Sequence, residues 1–141
     1  MTLTEIEDNL PNGLHDAEVE RIEIDYEKKR AKFTLLLWTG DLSSQDESVQ
    51  ESSQEADLTL TGLIYCIIEP PDPNYSFLKA SPITIGAGSA TEDPIKTETI
   101  LPKNFPDGAF AYWFFVHEWN SFIHIAAMDA SIELKDRSTT I

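Results

Sequence analysis

FPDGAFAYWFFVHEWNSFIHIAAMDA, residues 105–130, holds eight of the chain's fourteen aromatic residues and two of its three histidines, between flanks that are mostly polar and acidic. Its apolar residues fall on both strand parities, so strands built from it have two faces to cover, by protein or by a partner. After the Pro106-Asp107-Gly108 turn the spacing predicts two long strands, Ala109 to His117 and Ser121 to Ala130, joined at Glu118-Trp119-Asn120. Ile132 and Leu134 continue into a last edge strand.

Working back toward the N-terminus, Thr2 and Glu5 form a capping box, and Leu3, Ile6 and Leu10 share one helical face before Pro11 closes the element. A short N-terminal helix follows from this. Ala17 to Tyr26 and Ala31 to Trp38 read as a hairpin around the polar turn Glu27-Lys28-Lys29-Arg30, and a parity slip between Val19 and Ile22 signals a bulge. Residues 40–57 carry six acids, no base and few apolar residues, which predicts a solvated acidic loop. Leu58 to Ile68 is apolar on both parities at its end and reads as one central strand. Glu69-Pro70-Pro71-Asp72-Pro73 makes a stiff loop, with Tyr75, Phe77 and Leu78 expected to tack it to the core. Pro82 to Ala87 and Ile95 to Leu101 read as shorter strands. The expected architecture is a mainly antiparallel β-sandwich or flattened barrel of about seven strands with one short N-terminal helix. It forms a single domain over 1–141, with the 40–57 acidic loop and a loose polar tail at 135–141.

A formal net charge of −15, from 25 acids against 10 bases, argues against nucleic acid and anionic membranes as partners and leaves a basic protein in play. No run approaches the ~20 apolar residues of a membrane span. The lone Cys66 sits in the apolar run LIYCII as a small buried hydrophobe without a disulfide partner. With no basic-then-apolar leader at Met1, a cytoplasmic location is expected.

Each histidine has a carboxylate near it in sequence: Asp16 for His15, Glu118 for His117 and Asp129 for His124. A two-residue turn at Trp119-Asn120 would place His117 opposite Phe122 and bring both imidazoles onto one face, whereas a three-residue turn would set His117 opposite Ile123 and send the rings apart. Trp disfavours the positive φ of a tight hairpin, so the register stays open. His15-Asp16 could serve a metal or a proton transfer. The simpler expectation is a turn in which Asp16 caps backbone donors and His15 packs at the sheet's end. Nucleophilic catalysis finds no G-x-S-x-G, and Gly86-Ala87-Gly88-Ser89 lacks the lysine of a phosphate loop. No motif calls for a cofactor or a metal. Trp119, at a turn beside Asn120, is read as exposed and suited to touching a partner.

The segments NGLHDAEVERIEIDY, LTGLIYCIIEPPDPNY and WNSFIHIAAMDASIEL resemble small bacterial proteins of unknown function with GLHDA and WNxFIHxAAxDA signatures. His15, Asp16 and Ala17 also look like the corresponding part of some proposed immunity proteins of bacterial toxin systems, and that likeness implies a small acidic cytoplasmic binder of a toxin. The leading functional expectation is a non-enzymatic protein-binding domain contacting a basic partner through His15, Asp16, His117, Trp119, Asn120 and His124. The alternative is a metal-dependent or acid–base enzyme using His15, His117 and His124. A homodimer that buries the aromatic strands is a third arrangement.

Overall fold

The computed structural model describes residues 1–40, 52–78, 80–90 and 104–135. Helix α1, Leu3–Asn9, starts where expected: the Thr2 hydroxyl accepts the Glu5 N–H at 3.2 Å, and Leu3 and Ile6 are fully buried. Eight strands follow, β1 Glu18–Asp25, β2 Arg30–Trp38, β3 Ser53–Thr61, β4 Tyr65–Ile68, β5 Ile83–Ala90, β6 Phe110–Val116, β7 Ser121–Ala127 and β8 Asp129–Leu134. They form one antiparallel sheet in the order β4-β7-β6-β5-β1-β2-β3-β8, which is not closed. The fold is thus mainly β with a short N-terminal helix, as the periodicities require. The bulge foreseen after Val19 appears as a register shift between Val19 and Arg21.

The sheet bends on itself. β2 and β6 lie three strands apart, about 14 Å in a flat sheet, yet the rings of Phe33 and Phe114 are 6.2 Å apart. Bending is easiest where β1 meets β5, a join of only two residue pairs, Glu18↔Thr84 and Val19↔Ile83. The inner faces of β1, β2, β3, β6 and β7 close on a core that includes Phe33, Leu35, Leu58, Tyr112, Phe114 and Ile125. Helix α1 spans the open side: the Met1 carbonyl accepts the Ala130 N–H of β8 at 2.8 Å, and Glu7 accepts the Tyr112 hydroxyl of β6 at 2.5 Å.

Several expectations change. Residues 53–57, read as part of the acidic loop, form the first half of β3, because their backbone pairs with β2 from Trp38↔Ser53 to Thr34↔Asp57 and Ala56 fills the core. Side-chain polarity misleads here, since the ladder is made by backbone groups. The stretch read as one strand from Leu58 is two. The chain turns a corner after Gly62, and β4 lies at the sheet edge, where Ile68 is exposed. Phe77 and Leu78 are solvent-exposed instead of tacked to the core. Lys135, the first residue of the supposed tail, pairs with Asp57 at 3.1 Å and donates its N–H to the Glu55 carbonyl. Most of the 40–57 loop, the strand expected at 95–101 and residues 136–141 lie outside the described residues.

Gly86 and Gly88, which superficially suggested a phosphate loop, sit within β5. A Cβ at Gly88 would come within 3.0 Å of the Tyr112 and Phe114 rings, so the missing side chain makes room for the core aromatics. Cys66 is half-buried against the core, and burial pushes its thiol up to about 11 from an ordinary 9.0. Between those values the unfolded chain loses the proton while the folded chain keeps it. The stability contributed by this thiol is therefore complete below pH 9.0 and lost as pH rises toward about 11. Cys66→Ala should flatten the alkaline limb of a stability–pH curve, and native protein at pH 8 should resist thiol alkylation until denaturant is added. Rapid alkylation of the native protein would refute this.

Candidate functional site

Four residues, His117 to Asn120, make the β6–β7 turn, because Val116 pairs with Ser121. Neither the two-residue nor the three-residue turn is formed. The left-handed conformation that Trp resists is taken by Asn120, with φ 49°, and its N–H donates to the His117 carbonyl at 3.4 Å. The register then sets Phe115 opposite Phe122 and Trp113 opposite His124. Alternation resolves the double-parity puzzle of this segment. Tyr112, Phe114 and Val116 face the core, whereas Trp113, Phe115, Phe122 and His124 lie half-buried on the outer face. Their rings form a chain: Trp113–Phe122 5.6 Å, Phe122–Phe115 5.3 Å, Phe115–His117 6.2 Å, and His124 stacked on Phe122 at 6.0 Å. His117 and His124 thus share a face with Phe115 and Phe122 between them.

The Pro-rich loop is fastened to this hairpin by its acids. Glu69 donates its N–H to the Phe122 carbonyl at 3.0 Å, while its carboxylate accepts the Phe122 N–H at 2.7 Å and sits 3.1 Å from His124 Nε2. Asp72 donates its N–H to the Trp119 carbonyl at 2.8 Å, and its Oδ1 accepts the Asn74 N–H at 2.9 Å. Tyr75 meets Trp119 edge-on at 6.3 Å. Trp119 is consequently half-buried against the core, contrary to the exposed turn residue expected, and its indole nitrogen is buried without a hydrogen-bond partner. Across the turn, Glu118 accepts the Thr84 N–H and, at 2.6 Å, the Thr84 hydroxyl.

His15 and Asp16 form a turn closed by Ala17 N–H to the Leu14 carbonyl at 3.1 Å, with Leu14 fully buried and Asp16 at φ 64°. The Asp16 carboxylate reaches His15 Nδ1 at 3.0 Å, so its side-chain partner is the neighbouring imidazole, and both side chains are exposed. The expected packing of His15 at the sheet's end is not seen. Adjacent residues of β5 hold the two turns: the Thr84 carbonyl takes the His117 N–H, and the Ile85 carbonyl takes the Asp16 N–H. Two strand spacings, about 10 Å, separate the turn backbones.

His15, Asp16, His117, Trp119 and Asn120 therefore gather at one end of the sheet, with His124 three residues inside β7. The three imidazoles keep separate neighbours, and among the described residues no three of His, Cys, Asp and Glu are grouped to hold a metal ion. Glu69, Asp72 and Thr84 are not among the candidate residues read from sequence, and Tyr75 is read there only as a tack for its loop, the part it plays against Trp119. The one local signal was Asp72-Pro73-Asn74, where a side-chain acceptor between prolines marks a turn.

Between loop and turn opens a cleft of about 500 Å³ lined by Asp72, Asn74, Tyr75, Ser76, Ser81, Glu118 and Asn120. Beside it Phe77 is 77% and Leu78 100% exposed. No family model, curated protein or solved structure matches this chain. The chemistry of the end must be taken from its own groups. It offers carboxylates, amide and hydroxyl groups and aromatic edges, and no lysine or arginine occurs in residues 14–17, 69–78 or 117–120. The next base along the chain, Lys79, lies outside the described residues. No hydroxyl or thiol hydrogen-bonds to an imidazole among the described residues. No described helix is long and apolar enough to cross a membrane.

Proposed function

We propose that this chain is a non-enzymatic protein-binding domain that receives a basic partner at the end carrying His15, Asp16, Glu69, Asp72 and Glu118. The observation that supports this reading is a set of carboxylates in residues 14–17, 69–78 and 117–120, stretches that carry no lysine or arginine. The tip of the β1–β2 hairpin, at the far end of β1, carries Lys28, Lys29 and Arg30, and the hairpin as a whole balances its five bases with Glu18, Glu20, Glu23, Asp25 and Glu27. An eight-residue strand separates the two ends by about 25 Å. Carboxylates gathered in stretches without a base attract a cationic surface and orient its approach. The likeness of His15-Asp16-Ala17 to immunity proteins points the same way, toward a cytoplasmic toxin-like partner.

The test is a binding isotherm with a captured basic protein, comparing the wild-type chain with Asp16→Asn/Asp72→Asn. Both substitutions keep the local turn chemistry, because Asn also accepts a left-handed φ and a backbone hydrogen bond. Affinity should fall about ten-fold in the double variant, and the wild-type association should weaken steeply with added salt. A partner that binds both proteins equally at all salt concentrations, or the lack of any saturable partner, would reject the reading.

A further inference from the structure

We infer that the partner segment accepted at this end is an extended stretch with an arginine or lysine beside an apolar residue, the cation entering the cleft between Asp72 and Glu118 and the apolar side chain lying on Phe77 and Leu78. The inference rests on the protein-binding reading and gives its surface a chemistry.

Three observations converge. Asp72 spends one oxygen on the Asn74 N–H, and its other oxygen has no hydrogen bond from the described residues. Glu118 is held by the Thr84 N–H and hydroxyl, both neutral donors, so its position is fixed, and among the described residues no cation pairs with its charge. Tyr75 lines the same cleft, and an aromatic ring beside two carboxylates favours a guanidinium or ammonium group. A phosphate or carboxylate ligand would be repelled.

The second element is apolar. Phe77 and Leu78 are consecutive, 77% and 100% exposed, and Phe77 is braced edge-on against Tyr75 at 5.0 Å. Scattered exposed apolar residues are ordinary, but an adjacent pair whose first member packs on the cleft-lining Tyr75 has the character of a contact patch. Pro70, Pro71 and Pro73 restrict the loop that carries it, so less conformational freedom is lost when a partner lies down. A cationic group and an apolar group side by side match a charged cleft and an apolar rim side by side. The net charge of −15 on this chain favours a separate basic protein segment over a second copy.

The experiment is selection of a displayed library of random twelve-residue peptides on the immobilised full chain, followed by titration of the enriched peptides, made synthetically, against wild type, Asp72→Asn, Phe77→Ser and Leu78→Ser. Thermal melts check that the variants fold. Enriched peptides should pair Arg or Lys with a neighbouring apolar residue, bind Asp72→Asn about ten-fold more weakly, and lose a comparable factor with Phe77→Ser. Replacing the peptide arginine by citrulline should reproduce the Asp72→Asn loss. Enriched peptides without a basic residue, or peptides that bind the variants as well as wild type, overturn the inference and leave the binding-domain reading to its own test. Absence of enrichment overturns it too. So does light scattering that shows self-association abolished by Phe77→Ser, which would give the patch to a second copy of the chain.

Discussion

Phe114→Ala should lower the stability of the folded chain by about 3–5 kcal/mol, the range for truncating a buried phenylalanine. Phe114 is fully buried, and its ring contacts Tyr112 at 5.2 Å on its own strand and Phe33 at 6.2 Å across the core. It therefore joins halves of the sheet that share few hydrogen bonds at the β1–β5 seam. Against a typical total of about 5–15 kcal/mol, such a loss leaves a fold that is marginal at 37 °C. Urea unfolding followed by tryptophan fluorescence supplies the measurement. Phe115→Ala, on the half-buried outer face one residue away, is the control and should cost about 1 kcal/mol. Phe33→Ala and Phe114→Ala together should fall short of additivity by about 0.5–1.5 kcal/mol, the worth of an aromatic pair. Equal costs for Phe114→Ala and Phe115→Ala would mean that the core has been assigned to the wrong parity.

Gly62→Ala comes next in size. Gly62 has φ 59°, and a Cβ there would lie 2.7 Å from both Cβ and Cγ of Met128. Left-handed strain and forced repacking each cost about 1–3 kcal/mol, so a combined loss of about 2–4 kcal/mol is expected. In a chain of this size that lowers the melting temperature by roughly 10 °C. The two contributions can be separated. Met128→Ala removes Cγ but keeps Cβ in the way and should rescue little, whereas Met128→Gly should relieve the crowding and leave the conformational strain. A Gly62→Ala protein that melts like wild type would show that the corner yields without cost.

How far the sequence could be read depended on the range of the forces involved. The β1–β2 and β6–β7 hairpins, helix α1 and the bulge after Val19 follow from periodicity and caps, which act over a few residues. Ser53, Gln54 and Glu55 look like a loop by composition, and it is their backbone pairing with Trp38, Leu37 and Leu36 of β2 that makes them extended. The β6–β7 register was unreadable because it turned on whether Trp119 or Asn120 adopted the left-handed conformation. Trp119 looked exposed because its cover, Tyr75, comes from a loop more than forty residues earlier. The candidate residues His15, Asp16, His117, Trp119 and Asn120 were legible as residue types at turns. Their collection at one end, and the parts taken by Glu69, Asp72 and Thr84, come from strand order, which no local pattern encodes.

The corner beside Gly62 also bears on how fast the chain can fold. β3 runs into β4 and β7 into β8, and at the bend the Met128 N–H donates to the carbonyls of Thr61 at 3.2 Å and Gly62 at 3.1 Å. Forming that bend closes a loop of more than sixty residues, whereas the β1–β2 and β6–β7 hairpins each close over four. Contacts so distant in sequence raise the folding barrier, so hairpins should flicker into existence on microsecond times while the native sheet waits for its corner. The bend, like the β1–β5 join and the contacts of helix α1, belongs to the late steps of that ordering.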